Sequence, residues 1–211
     1  MGDHPFRHVV TSLTELRAIV GEPSEIARKK QIAALDGTCR EFIARSPFLL
    51  MATTDAAGQC DVSPKGDAPG FVMVLDDTHL VIPDRPGNRR LDGMRNLLAN
   101  PRVGLLFLIP GKGETLRING RAWIVRDDDL LERLAHENKR PQLAVGVEVE
   151  ECFMHCAKAF KRSKLWQTDQ WPEPATLVSG ARMLLAHARP ADMTLEQMER
   201  RLQDGLEKHL Y

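Results

Sequence analysis

Between Phe48 and Val125 the chain repeats one kind of unit: a short run of aliphatic and β-branched residues, then a tight turn. Phe48–Thr54 is apolar and ends in threonines, Asp55–Gly58 turns, and Gln59–Ser63 alternates polar with apolar. That pattern is a β-hairpin. Phe71–Leu75, the Asp76-Asp77 turn and His79–Ile82 form a second hairpin. Val103–Ile109 is almost wholly apolar, Pro110–Gly113 breaks it, and Thr115–Val125 follows with Leu116, Ile118, Ala122 and Ile124 on alternate positions. Six short strands joined by tight turns predict an antiparallel barrel or sandwich and exclude a βαβ fold. Leu143–Phe153 reads as one further strand.

The flanks read differently. Ser12-Leu13-Thr14-Glu15 has the form of a capping box, and Leu13, Leu16 and Val20 follow on one stripe. Helical spacing recurs over residues 24–34 and 36–44, where Cys39, Phe42 and Ile43 share a face. Ser46-Pro47 ends this region, because the residue before a proline is driven out of the α region. Within the strand-rich part, Leu91, Met94, Leu97 and Leu98 predict a short helix stopped by Asn100-Pro101. Asp127–His136 predicts another, its acidic start suited to a positive helix N-terminus. Ala157–Lys164 is basic and helical or coiled. Thr194-Leu195-Glu196-Gln197 is a second capping box, leading an amphipathic helix to Leu210.

Composition narrows the function classes. The 211 residues are 43% hydrophobic and 27% charged, an ordinary globular balance. Lys+Arg and Asp+Glu both total 29, so no net basic field draws in nucleic acid or an anionic membrane. Any anion site must be local. The first five residues, Met1–Pro5, lack the basic and apolar regions of a signal peptide. No apolar run approaches the ~20 residues that span a bilayer. Cys39, Cys60, Cys152 and Cys156 are scattered, as reduced thiols in a cytoplasmic protein would be.

Phosphate, metal and nucleophile signatures of the common kinds are absent, and Gly111-Lys112-Gly113 reads as a hairpin turn because no helix follows it. Cys152-Phe153-Met154-His155-Cys156 lacks the second ligand pair that a zinc site wants, so no metal is expected. Asn88-Arg89-Arg90 is more specific: it follows a Pro-Gly turn directly after a strand, and a short helix begins beyond it. Two guanidinium groups beside backbone N–H groups at a helix N-terminus suit a dianionic phosphate. The competing reading is a solvated patch with ion pairs to Asp84 and Asp92. A second segment, Val62-Ser63-Pro64-Lys65-Gly66-Asp67, ends a strand with a hydroxyl and a lysine that could meet the arginine loop across a barrel mouth.

Together these segments resemble the pyridoxamine 5′-phosphate oxidase-like split-barrel flavoproteins, in a branch of uncharacterised FMN-binding members. The resemblance is carried by Ser46-Pro47-Phe48, Asp61–Asp67, Val81–Arg90, Arg95-Asn96-Leu97, Asn100–Phe107, Leu116–Ala122 and Cys156–Trp166, in that order. It implies a mainly β (α+β) fold, a six-stranded antiparallel split β-barrel with flanking N- and C-terminal helices. The barrel would occupy residues 46–166, with a helical extension over 1–45 packing on it and a second over 167–211. It also implies a homodimer with non-covalent FMN at the subunit interface. Lys65, Asn88, Arg89 and Arg90 would surround the phosphate and ribityl chain. Ser63, Pro64, Ile82 and Pro83 would present backbone and packing groups to the isoalloxazine. Lys158, Arg162 and Trp166 would approach from the C-terminal side, from the same subunit or its partner. The loop departs from the true oxidase, which has a Ser-Arg-Lys arrangement where this chain has Asn88-Arg89-Arg90, and no counterpart of that enzyme's C-terminal substrate residues is found. Oxidation of vitamin B6 is therefore not expected. The reaction expected is hydride or electron transfer between a nicotinamide or small organic substrate and FMN, with no side chain standing out as acid or base. The alternative is a non-catalytic sensor or carrier of flavin, heme or the deazaflavin F420, with His79 and His155 as candidate heme ligands.

Overall fold

The computed structural model describes residues 5–211; the first four residues of the stretch read for a signal peptide lie outside the described residues. Three helices open the chain: α1 (Leu13–Val20), α2 (Glu25–Lys29) and α3 (Gly37–Arg45). Ser12 caps α1 by accepting from the Glu15 N–H at 3.2 Å, but Glu15 reaches back to the N–H of Thr11 rather than to that of Ser12. α2 is shorter than the periodicity suggested. Neither α1 nor α2 buries a residue, whereas α3 buries Cys39 and Ile43.

Seven strands follow, one more than the six expected for the barrel: β1 (Phe48–Thr54), β2 (Cys60–Gly66), β3 (Met73–Val74), β4 (His79–Pro83), β5 (Arg102–Leu108), β6 (Thr115–Val125) and β7 (Ala144–His155). The seventh is the Leu143–Phe153 segment. Helices α4 (Asp92–Ala99) and α5 (Asp128–Arg133) lie between strands, and α6 (Lys158–Ser163), α7 (Gly180–Ala188) and α8 (Leu195–Lys208) follow them. The capping box at Thr194 and Gln197 forms in full. α7, capped by Ser179, was not anticipated; it packs against α8, and Ala181 and Met198 are buried.

All strand pairs are antiparallel, in the order β2-β1-β5-β6-β7-β4-β3. The long strands β6 and β7 serve two half-sheets. β5 pairs with the first part of β6, while β4 pairs with Ala144–Glu148 of β7, which face the last part of β6. The β6–β7 ladder shifts register at Asn119/Gly120. A Cβ on Gly120 would lie 1.9 Å from the Glu148 carbonyl oxygen, so only glycine lets the backbones approach this closely. The interior is lined by alternate residues of each strand, among them Leu49, Met51, Ile82, Leu105, Phe107, Ile118 and Val145. Cys39 and Cys152 meet inside it with sulfurs 3.3 Å apart, and burial pushes both thiols up.

The sheet does not close by hydrogen bonds; β2 and β3 are its edges. Pro64 is tolerated in β2 because an edge strand has no outer ladder to supply. Side chains cross the open side instead. Lys65 donates to Asp84 at 2.9 Å and Arg85 donates to Asp67 at 2.6 Å, joining the end of β2 to the end of β4. No helix among the described residues is long and apolar enough to cross a membrane.

Candidate anion-binding site

Alternation along β2 turns Ser63 and Lys65 to one half-buried face and leaves Val62 and Pro64 exposed on the other. α4 packs across β1 and β2 beside that face. Its approach is close: a Cβ on Gly93 would lie 3.3 Å from Met51 Cε, 3.6 Å from Thr53 Oγ1 and 3.8 Å from Ser63 Oγ. One turn further on, the buried Asn96 amide donates to Thr53 Oγ1 at 3.1 Å and to Asp61 Oδ2 at 2.8 Å. The first turn of α4 is thus seated over Ser63, bringing the arginine loop to the strand that carries Lys65.

The loop before α4 has an unusual backbone. Arg89 and Leu91 both take positive φ, 61° and 60°, in the left-handed region that non-glycine residues enter at a cost. The Asn88 side chain stabilises the bend by accepting from the Arg90 N–H at 3.0 Å. Leu91, the N-cap of α4, supplies no side-chain cap, so the first N–H groups of the helix are left to other acceptors. Arg90 forks onto Asp92, with Nε to Oδ2 at 2.7 Å and Nη2 to Oδ1 at 3.3 Å. The hydrogen bonds between them raise the Arg90 pKa and lower that of Asp92. This is one of the two ion pairs of the solvated-patch reading. Arg89 is exposed and its side chain makes no hydrogen bond or ion pair among the described residues. Lys65 is held by Asp84, both side chains about one-fifth exposed.

Ile82 and Pro83 are buried in β4. The C-terminal group makes other contacts. Lys158 and Arg162 are exposed on α6, while Trp166 donates through Nε1 to the Lys112 carbonyl at 2.8 Å and stacks on Phe160. No hydrogen bond or ion pair among the described residues joins these three to Ser63–Lys65 or Asn88–Arg90. His79 is engaged by Asp76 at 2.9 Å, and His155 is exposed at the end of β7.

A second cluster escaped the sequence reading. Arg85 meets the carboxylate of Asp67, whose side chain is 1% exposed. Asp67 also accepts from the Ala68 N–H at 2.7 Å and from the Tyr211 hydroxyl at 2.8 Å. Burial alone would raise the Asp67 pKa; the three hydrogen bonds and the Arg85 charge outweigh it and hold the carboxyl below its ordinary value. Tyr211 lies 144 positions from Asp67, and no local pattern could link them.

The family model for pyridoxamine 5′-phosphate oxidase matches residues 35–156, more than half of the chain. The chain belongs to this family. Its match covers β1–β7, α4 and the anion-site segments of β2 and the arginine loop. Among solved structures, a candidate pyridoxamine 5′-phosphate oxidase from Lactobacillus delbrueckii is 23% identical over 58% of this chain and 95% of its own, with a TM-score of 0.47. An FMN-binding protein from Syntrophomonas wolfei is 10% identical, over 55% and 86%, with a TM-score of 0.42. HutZ, a heme storage protein from Vibrio cholerae, is 18% identical, over 58% and 94%, with a TM-score of 0.40. No curated protein matches the chain.

Proposed function

We propose that this protein is a homodimeric FMN-binding oxidoreductase that passes hydride or electrons between FMN and a nicotinamide or small organic substrate. The observation that carries the reading is the seating of the uncapped α4 N-terminus and the Asn88–Arg90 loop over Ser63, beside Lys65. A phosphate monoester needs several donors and more than one positive charge, and this donor set fits it. Arg89 is unpaired, the first N–H groups of α4 lack a side-chain cap, and Arg90 can exchange the exposed Asp92 carboxylate for a phosphate. Lys65 contributes from the strand side, where Asp84 keeps its ammonium group in place until an anion competes for it.

In this reading Arg89, Arg90 and the α4 N–H groups hold the phosphate, while Asn88 keeps the loop in its left-handed bend. Ser63 and the backbone of Pro64, Ile82 and Pro83 border the ring, and their strands hold it in one orientation. Lys158, Arg162 and Trp166 act from the partner subunit, in keeping with the lack of any hydrogen bond or ion pair between them and the loop among the described residues. Bound FMN supplies the redox chemistry, through hydride exchange at its N5; the protein supplies binding, orientation and electrostatics. The barrel at residues 46–166 carries the cofactor, and the helical segments before and after it are extensions.

The test is direct. The purified protein, stripped and then titrated with FMN, is expected to bind it stoichiometrically, with the yellow absorbance of oxidised flavin bleaching on addition of NADH or NADPH. A protein that binds no FMN sinks the reading. One that binds FMN but is not reduced by nicotinamides or small organic donors keeps the site and loses the oxidoreductase.

A further inference from the structure

The contacts of Tyr211 describe a ring-binding slot. Its hydroxyl donates to the buried Asp67 carboxylate at 2.8 Å, the Arg85 guanidinium carbon stands 5.8 Å from its ring centre, and the His136 ring lies at 5.0 Å, tilted by 34°. Lys139 fixes the same residue from outside by donating to its carbonyl oxygen at 3.1 Å. Three kinds of group therefore converge on one phenol: a cation near its face, an imidazole beside it and an anionic acceptor for its O–H. Beside the slot is a cavity of about 300 Å³, lined by Asp67, Arg85 and His136 on the polar side and by Phe71, Met73 and Leu134 on the apolar side. That volume is at the lower end of small-molecule pockets; its lining is more polar than apolar, and Asp67, Arg85 and His136 supply the convergent polar groups that orient a guest.

We propose that the Asp67–Arg85–His136 slot and its adjoining cavity form a binding site for a small planar aromatic molecule carrying an O–H or N–H donor, with the Tyr211 side chain as its internal occupant. The Asp67 carboxylate selects the donor, because an aromatic guest without one leaves a buried charge short of a hydrogen bond. Arg85 is held flat by its bond to Asp67 and offers a cation near the ring face. Tyr211 is only partly buried and no other hydrogen bond holds its ring, so a guest of the same chemistry displaces it by swinging one side chain outward. The residues are distinct from those assigned to the FMN phosphate, and the proposal does not rest on that reading. The slot nonetheless adjoins it: Asp67 lies two residues beyond Lys65, just past the end of β2, and Arg85 follows Asp84.

The experiment uses the full chain without added FMN, with phenol as the probe and anisole, which has no O–H, as its control. Binding is followed through the amide signals of Ala68 and His136 in the wild type, Tyr211→Phe and Tyr211→Ala. In Tyr211→Ala, phenol is expected to shift both signals saturably, and anisole to bind at least about tenfold more weakly, the loss of one hydrogen bond to a charged acceptor. The wild type is expected to bind phenol at least about tenfold more weakly than Tyr211→Ala, with Tyr211→Phe between them, because its ring still fills the slot but lacks the bond to Asp67. No saturable shift in Tyr211→Ala, equal response to anisole, or equal phenol affinity in all three proteins overturns the proposal.

Discussion

Two pairs of opposite charges lie a few residues apart in sequence and do different work. Asp67 and Arg85 meet at the open side of the barrel with side chains 1% and 16% exposed, whereas Arg90 and Asp92 meet with side chains 72% and 32% exposed. The first pair is shielded from water, its carboxylate satisfied by three donors, and it ties β2 to β4 where no strand ladder does. The second is screened and rests on a loop with two left-handed residues. Desolvation makes the difference. A charge that has lost its water cannot give up its oppositely charged partner without being stranded, while one that keeps its water can trade one counter-ion for another at little cost. The Asp67–Arg85 bond thereby ties the strands together at a seam, whereas the Arg90–Asp92 bond is exchangeable.

The largest effect expected from this contrast is on the seam. Asp67→Ala leaves the Arg85 guanidinium without its carboxylate in a sparsely solvated place, and breaking a buried pair by removing one partner costs ~3–5 kcal/mol. Denaturant unfolding should report a loss of that size. Arg90→Ala, measured in the same way, should leave the midpoint nearly unmoved. Equal losses would show that the exposed pair is as structural as the buried one.

Ligand binding should show the reverse. Arg89→Ala and Arg90→Ala are each expected to weaken FMN binding about ten- to a hundredfold, the range for losing a hydrogen bond to a charged group. Fluorescence titration of FMN gives the affinity, and the unfolding midpoint should stay where it was. If both variants bind FMN like the wild type, the phosphate is held elsewhere.

The same contrast explains what could be read in advance. Strand periodicity placed β1 and β6 at their observed bounds and the turn at Gly111, because those features depend on residues a few positions apart. The arginine loop was visible for the same reason, since Gly87, Asn88 and the two arginines are contiguous. The seam was not. Asp67 and Arg85 are 18 positions apart, and Tyr211 comes from beyond α8, so their meeting depends on how far the sheet curls and where the last helix ends. α7 went unread because its apolar residues stay largely exposed; Met183 and Leu184 make only a weak stripe. The residue that couples loop to barrel, Asn96, stood in a quoted motif without a role, because its two acceptors lie 43 and 35 positions earlier.

That coupling should be measurable. Asn96→Leu keeps the volume of the side chain but strips Thr53 and Asp61 of their donor, leaving the Asp61 carboxylate beside a hydrocarbon. A loss of ~1–3 kcal/mol in stability is expected from the unsatisfied groups. FMN affinity should fall with it, since α4 no longer sits firmly over Ser63. A variant that is destabilised yet binds FMN as before would separate the seating of α4 from the binding of phosphate.

The smallest effect is an acid dependence of the same sign for both pairs, which salt separates. The native Asp67 carboxyl titrates below its ordinary value of 3.8, because its hydrogen bonds and Arg85 outweigh the burial that pushes the other way. A carboxyl depressed in the folded state binds its proton more readily when the chain unfolds. Its contribution to stability is therefore complete above the ordinary value and is lost as pH falls through the depressed one. The stability gap between the wild type and Asp67→Asn should accordingly be constant near neutrality and narrow on acidification below about pH 4. Asp92 is also depressed, by its hydrogen bond to Arg90, but that pair is exposed, and salt at ~1 M shortens the screening length to about 3 Å. High salt should thus flatten the acid dependence that belongs to the loop and leave most of the narrowing due to Asp67. If salt abolishes both, the seam is wetter than its burial implies, and the division between a fixed pair and an exchangeable one fails.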